Sequence, residues 1–304
     1  MRHQLPIKYF DEVARSGSIR QAAEKLAITS SALNRRILAM EDELGVELFE
    51  RIPSGVRLSA AGEMMIYHVR RHLADMQQLK SALADLAGER RGHVNIGCGQ
   101  ALLPDFLPTQ VRRYRAANPG VSFSLLSCGR CDATPRLSQF TCDLVLCFEP
   151  EITTDLSVLH SSPQQLHALV RHDHPLATNS CVTLLQCADY PLAVPTERNA
   201  IRNMLDTQSA KRNLPLQYVV ESDNFACLRN YALLEGAIAF QIPMAIPDAV
   251  EASGLVTIAC HTRDFPQGRV ALCQLKGRNL PVAAAKFAEL LCSTLEANEQ
   301  STTA

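Results

Sequence analysis

A chain of 304 residues, 47% hydrophobic and 20% charged, is long enough to build two or three globular cores. Its net charge of −1 excludes a uniformly basic nucleic-acid coat protein but leaves room for a local DNA face. No run approaches the ~18 apolar residues needed to span a bilayer, and the charged start (Arg2, Lys8, Asp11, Glu12, Arg15) lacks the apolar core of a signal peptide. Eleven cysteines, dispersed except for Cys128-Gly129-Arg130-Cys131, predict a reducing cytoplasm and mostly buried free thiols.

Along the chain, Ile7, Phe10, Val13 and Ala14 form the apolar face of a first helix. Ser18 followed by Gln21 reads as a capping box opening a second, with Ala22, Ala23 and Leu26 as a small apolar stripe. Ala27-Ile28 makes a turn, and Thr29 is an N-cap for a third helix burying Leu33, Ile37, Met40 and Leu44. At about 100° per residue, Ser31 and Arg35 point away from that stripe, with Asn34 beside them. Such a helix suits the DNA major groove, since Arg pairs with guanine, Asn with adenine, and hydroxyls with bases or phosphates. An ordinary helical hairpin with a solvated face would give the same pattern. The next fifteen or so residues narrow the choice: Leu44 to Arg51 and Pro53 to Ser59 read as a helix end, a strand, a hairpin and a returning strand, which is a wing.

Tyr9-Phe10, Gly17-Ser18, Ala22-Ala23, Ser31-Ala32-Leu33, Ile37, Glu41, Leu44-Gly45, Leu48-Phe49-Glu50-Arg51 and Leu58-Ser59-Ala60-Ala61-Gly62 stand in one register. Residues 1–92 thereby resemble the LysR-type transcriptional regulators. The resemblance implies a DNA-binding domain over 1–59, with Ser18, Arg20, Thr29, Ser30, Ser31, Asn34, Arg35 and Arg36 as contacts. It also makes Arg51 and Arg57, flanking the wing, candidates for phosphate contacts rather than plain surface charges. The family often has Gln, then Pro or Ser, where Thr29-Ser30-Ser31 stand, so the base-reading set departs from the common one.

From Ala60 onward, Ile66, Val69, Leu73, Met76, Leu79, Leu83 and Leu86 recur every three or four residues, close to a heptad seam with a slip at Leu79. This stripe needs a partner, either the same helix of a second subunit or its own domain. The resemblance implies the former, a linker helix over 60–88 pairing two DNA-binding domains. Gly88-Glu89-Arg90-Arg91-Gly92 reads as a Gly-bounded hinge, placed at 89–92.

Beyond it, short apolar strands alternate with helices, which predicts parallel strands. Strands are expected at Val94–Gly97, Val121–Leu126, Asp143–Cys147 and Val270–Gln274, and helices at 103–117, 134–140 and 282–295. A second α/β unit carries His174-Pro175-Leu176-Ala177 and Gly236-Ala237-Ile238, followed by Pro243. Crossings near Ser161–Pro163 and Phe265–Gly268 give an effector domain over 93–298, with lobe I at 93–162 and 267–298 and lobe II at 163–266. The predicted fold is α+β: an N-terminal winged helix-turn-helix, a long linker helix, and a two-lobed α/β effector domain resembling periplasmic solute-binding proteins. Ala237 stands where the family usually has a second Gly.

Ligands in open α/β sheets bind beyond the carboxyl ends of the strands, where helix N-termini suit anions. Those positions hold Cys98-Gly99-Gln100-Ala101, then Arg130 and Cys131, then Thr196, Arg198 and Asn199, with Asn224 further on. The resemblance points to the same loops, but it has Ser or Thr near Gln100 and Cys131, so the donors differ here. Arg130 and Arg198 either pair with an anionic effector or are surface charges. Cys98, Cys128 and Cys131 raise an alternative, a thiol- or metal-sensing regulator, since a helix N-terminus near Cys131 favours thiolate; a CxxC thiol oxidoreductase competes less well. One CxxC is weak evidence for zinc, and His172 and His174 belong to the His-Pro-Leu-Ala turn, so no metal and no cofactor is assigned. The expectation is a cytoplasmic regulator, not an enzyme. Its partners would be double-stranded promoter DNA, a small-molecule effector, further copies of itself as a dimer and tetramer, and, for an activator, RNA polymerase.

Overall fold

The computed structural model describes residues 5–86, 91–247, 250 and 253–303. They divide into two compact units that part between Lys80 and Ser81. In the first, α1 (Leu5–Ser16), α2 (Ile19–Lys25) and α3 (Ser30–Leu44) precede a hairpin of β1 (Phe49–Ile52) and β2 (Gly55–Leu58), and α4 (Ala60–Leu86) begins next. Ser18 Oγ accepts from the Gln21 amide at 3.4 Å, and Thr29 Oγ1 accepts from the Ala32 amide at 3.2 Å, so each helix start has a capped amide. Between them Ala27 turns the chain at φ 54°, a left-handed conformation unusual for a residue with a Cβ. Phe10, Val13, Ala22 and Leu33 are fully buried, with Ile37 and Leu48 nearly so; each large apolar side chain contributes about 1.5–3 kcal/mol.

The spacing predicts that Leu44 continues this stripe, but it is 50% exposed, because α3 ends there and Gly45 at φ 68° redirects the chain into the wing. The wing is seated by glycine: the Val56 amide donates to Gly17 O at 2.9 Å, and a Cβ on Gly55 would lie 2.2 Å from that same oxygen. The α4 stripe divides in two. Ile66 and Val69 are buried in the winged core with Leu73 against its edge, whereas Leu79 and Leu83 are 48% and 53% exposed. The Leu86 side chain and the hinge residues Gly88, Glu89 and Arg90 lie outside the described residues; Arg91 and Gly92, read as hinge, begin a strand.

In the second unit β3 (Arg91–Cys98), α5 (Phe106–Ala117), β4 (Gly120–Ser127), α6 (Ala133–Ser138), β5 (Leu144–Phe148) and β6 (Leu156–Gln164) build most of one sheet. A second sheet is built from β7 (His167–Arg171), β8 (Cys181–Val182), α7 (Leu184–Ala188), β9 (Leu192–Pro195), α8 (Ala200–Arg212), β10 (Tyr218–Ser222), α9 (Phe225–Glu235), β11 (Ile238–Gln241) and β12 (Leu255–Cys260). Then β13 (Gly268–Leu275) and α10 (Val282–Thr303) return to the first. The strand orders are β4-β3-β5-β13-β6 and β10-β9-β11-β7-β12-β8. Pairings β3–β4, β3–β5, β9–β10 and β9–β11 are parallel as expected. Both sheets are nonetheless mixed: β13 is antiparallel to β5 and β6, and β7 to β11 and β12, because the crossing chain enters each sheet against its neighbours. The two crossings lie side by side, with Gly268 opposite Gln164.

On one face of the first sheet, Phe287 of α10 meets the rings of Tyr114 and Phe123 at 5.3 and 4.9 Å. On the other, Ala133 and Leu137 of α6 pack with Cys128, Cys142, Cys147 and Cys273. Burial on both faces explains why these strands read as apolar runs. His174 is buried, its Nδ1 accepting from the Leu176 amide at 3.1 Å and its ring 4.4 Å from Tyr190. Among the described residues no helix is long and apolar enough to cross a membrane.

Candidate functional site

Two surfaces carry the candidate residues, one in each unit. On α3, Ser31 and Arg35 are exposed on the side away from Leu33 and Ile37, with Asn34 half-buried beside them, while Ser30 is exposed as the first residue of the helix. The Thr29 and Ser31 hydroxyls lie 3.2 Å apart. Arg36 sits elsewhere, its guanidinium 5.3 Å from the Tyr9 ring centroid. Ser18 spends its oxygen on its cap, and Arg20 pairs with Glu24 at 3.3 Å. In the wing, Glu50 lies opposite Arg57 and Arg51 opposite Val56, so strand alternation sends Arg51 and Arg57 to opposite faces. Arg57 is held by Glu50 at 2.7 Å. Among the described residues, Arg35 and Arg51 have no ion-pair partner.

In the second unit a cleft of about 400 Å³ opens where β3, β4, β5, β9, β10 and β11 end. Gly99, Gln100, Ala101, Arg130, Thr196, Arg198 and Asn199 line it, as the strand-end rule anticipates. Cys98, Cys131 and Asn224 do not. Cys98 is the last residue of β3 and fully buried. Cys131 is exposed, with its Sγ 3.4 Å from Glu151 Oε1. Asn224 caps α9, its Oδ1 accepting from the Ala226 and Cys227 amides at 2.9 and 3.2 Å, and Asp223 takes its place in the wall. Asn199 does both, lining the cleft while its Oδ1 accepts from the Ile201 amide at 2.9 Å.

The cleft also has wall residues that the sequence reading does not place among the effector contacts. Ser127, Cys128, Cys147 and Phe148 stand at or just beyond strand ends, and the same rule applied to β5 would find the last two. Asp132 and Arg136 come from the segment and helix after β4, where no sequence pattern singles them out. Three arginines, Arg130, Arg136 and Arg198, thus face two carboxylates, Asp132 and Asp223. Arg130 donates from Nε to Glu149 O at 3.0 Å, and its Nη1 lies 3.9 Å from Glu151. Arg198 is exposed and has no ion pair among the described residues. Arg136 is the unusual one: its guanidinium is hydrogen-bonded to the Cys128 thiol, yet its Nε is buried and has no partner. A polar group left so costs about 1–3 kcal/mol unless something compensates it.

The three thiols of the alternative reading are all held toward the protonated form, which does not favour thiol sensing. Burial pushes the Cys98 thiol far above its usual range, and the Cys128 thiol up to about 12 in spite of neighbouring Arg136. The helix N-terminus predicts a thiolate at Cys131, yet burial raises this thiol as well, and the Glu151 carboxylate that accepts its S–H raises it further. A raised pKa leaves a thiol unreactive at neutral pH. Among the described residues no group of three or more His, Cys, Asp or Glu could hold a metal ion.

A winged helix-turn-helix followed by a two-lobed α/β domain with a polar cleft defines a DNA-binding regulator that carries its own small-molecule sensor. Residues 6–63 match the family model for the bacterial regulatory helix-turn-helix protein, lysR family, and residues 87–295 match that for the LysR substrate binding domain. The chain belongs to the LysR family of transcription regulators, which are DNA-binding factors with an effector-binding domain and not enzymes. It is similar to the HTH-type transcriptional activator CmpR of Synechocystis, with 23% identity over 97% of this chain and 96% of that one. Full-length CbnR complexed with its target DNA gives a TM-score of 0.64 at 17% identity, covering 96% of this chain and 99% of that one. The regulatory domain of Synechocystis CcmR in complex with 2-PG gives 0.60 at 18% identity, over 67% of this chain and 98% of that one.

Proposed function

We propose that this regulator reads a dyad-symmetric promoter site through paired copies of residues 1–59 and adjusts that contact when an anionic metabolite fills the cleft of residues 93–298. In the reader, Ser31, Asn34 and Arg35 meet base edges, and Arg51 and Arg57 meet phosphates on either side of the wing. The exposed Leu79 and Leu83 support pairing through residues 60–88, since an apolar stripe half in water gains from a second copy. Association to a tetramer and contact with RNA polymerase, were the protein an activator, belong to the same reading. Similarity to CbnR, a protein seen on its target DNA, and to CcmR, seen with a small ligand, supports the two functions.

The observation that carries the choice of an anion is the wall of three arginines against two aspartates, with the Arg136 Nε buried and unpartnered. A carboxylate or phosphate arriving there gains charge-assisted hydrogen bonds from these arginines. Closure around it would shift the lobes and so the placement of the readers. The test is a thermal-shift panel on the full chain in reductant, comparing small organic acids and phosphates with their neutral amides and esters. A ligand at ~100 times its dissociation constant adds roughly 2.7 kcal/mol. Stabilisation by an acid and not by its amide is expected; stabilisation by neutral compounds alone would overturn the anionic reading.

A further inference from the structure

Arg130 lines the cleft from lobe I, yet part of what holds it comes from lobe II. Its Nε donates to the carbonyl of Glu149, the residue after β5, at 3.0 Å. Its Nη1 lies 3.1 Å from the side-chain amide of Asn203, on α8. That amide has one orientation that satisfies both of its ends: Nδ2 donates to Glu197 O at 2.9 Å, and Oδ1 accepts from Arg130. The guanidinium is therefore fixed by one bond to each lobe. A planar group held at two of its nitrogens keeps its plane, and its remaining N–H donors keep their direction.

Helix capping does not explain Asn203. It lies one turn into α8, where Asn199 is already the N-cap and accepts from the Ile201 amide at 2.9 Å. Inside a helix asparagine is less favourable than alanine, because its side chain competes for backbone groups. Here it reaches back to a carbonyl before the helix and across to the opposite lobe. The next residue, Met204, reaches the second crossing: a Cβ on Gly268 would lie 3.0 Å from Met204 Cε and 2.2 Å from Phe148 Cζ. The start of α8 thus supplies cleft wall at Ala200 and Ile201, then contact with lobe I at Asn203 and Met204.

We infer that Asn203 is a positioning residue of the effector cleft. It does not line the cleft itself and acts through Arg130. With the lobes together it holds that guanidinium in the wall; with the lobes apart it cannot. Arg130 presents a fixed set of donors to an anion only in the joined arrangement, so anion affinity and contact between the lobes are linked. This role rests on the anionic reading of the cleft.

The test is calorimetry on the full chain in reductant with malonate and inorganic phosphate, and with malonamide as the neutral counterpart. Asn203→Ala should weaken both anions about two- to tenfold, the contribution of one hydrogen bond, and leave malonamide unchanged. Arg130→Met should weaken them as well, and adding Asn203→Ala to that variant should have no further effect. Alanine is the better helix former, so Asn203→Ala should fold. A measurement without ligand accompanies these: amide hydrogen exchange at residues 129–133, in lobe I, should speed up when Asn203 is changed in lobe II. Unchanged exchange there, anions that bind Asn203→Ala as tightly as wild type, or a loss that persists without Arg130 would overturn the role of Asn203. Faster exchange with no saturable binding of either anion by wild type would instead sink the anionic reading, and the positioning role with it, while the contact between lobes would stand.

Discussion

Replacing Arg136 by Met tests whether that arginine is kept for ligand rather than for the fold. The guanidinium lies among cleft-lining groups, its Nε is buried without a partner, and among the described residues no carboxylate pairs with it. Methionine retains much of the apolar stem and removes the uncompensated donor. By the cost of one unsatisfied buried polar group, the variant should gain up to about 1–3 kcal/mol, reduced by whatever stem packing is lost. Effector affinity should move the other way, since a hydrogen bond to a charged group contributes about 1.5–3 kcal/mol, or roughly 10- to 150-fold in Kd. Opposite signs in the two measurements mark a site where stability is given up for binding. Thermal unfolding of the unliganded chain and calorimetry with whichever acid stabilises the wild type would read both. A variant that unfolds earlier yet binds the acid as well as wild type would refute the reasoning, because Arg136 would then be structural.

In the reader, Asn34→Ala and Arg35→Ala should each cut the preference for operator over scrambled DNA about 5- to 150-fold, at the typical 1–3 kcal/mol per bidentate base contact. Fluorescence anisotropy on both duplexes checks this, and equal loss on both would reassign the residues to phosphate contacts. Leu79→Asp with Leu83→Asp should leave the winged core folded, because both side chains are already about half exposed, while lowering the association state seen by sedimentation. Acidification should destabilise the second unit through His174, whose pKa burial pushes below its ordinary 6.5. With a folded value below the unfolded one, the stability is present above pH 6.5 and is lost as pH falls through the folded value, by at most about 1.4 kcal/mol per pH unit. His174→Asn should flatten that part of the pH dependence of unfolding, and an unchanged profile would discount His174 as its source.

The reader was legible because its determinants are local. The caps at Ser18 and Thr29, the paired alanines and the spacing of Leu33, Ile37 and Met40 depend on residues three or four apart within a single helix. Leu44 departs from the pattern since periodicity cannot see where a helix stops, which Gly45 decides. The α4 stripe reads as one feature, yet its first half belongs to the winged core and its second half to water. In the effector unit the strand-end rule places most of the cleft but chooses Asn224 over Asp223, because two backbone amides of α9 claim the asparagine. Arg136 has no signal at all, because what marks it is the partner its Nε lacks, and an absent partner leaves no mark in one dimension.

The winged unit also shows what holds the proposed reading surface rigid. Glu41 Oε1, on the last turns of α3, accepts from the Leu48 and Phe49 amides at 2.7 and 3.1 Å, tying the wing to the helix that presents Ser31, Asn34 and Arg35. Asp11 of α1 is buried and pairs with both Arg15 and Arg70 at 2.9 Å, and Arg70 is itself nearly buried on α4. Removing one member of a buried pair typically costs about 3–5 kcal/mol, since the other charge is left bare. The start of α4 is therefore clamped to the reader as firmly as the wing is. A regulator of this build has little freedom to change base contacts within one reader. On the pairing proposed above, what it can change is the distance and angle between two readers, set by how the exposed half of α4 is partnered, and that is where an effector signal would act.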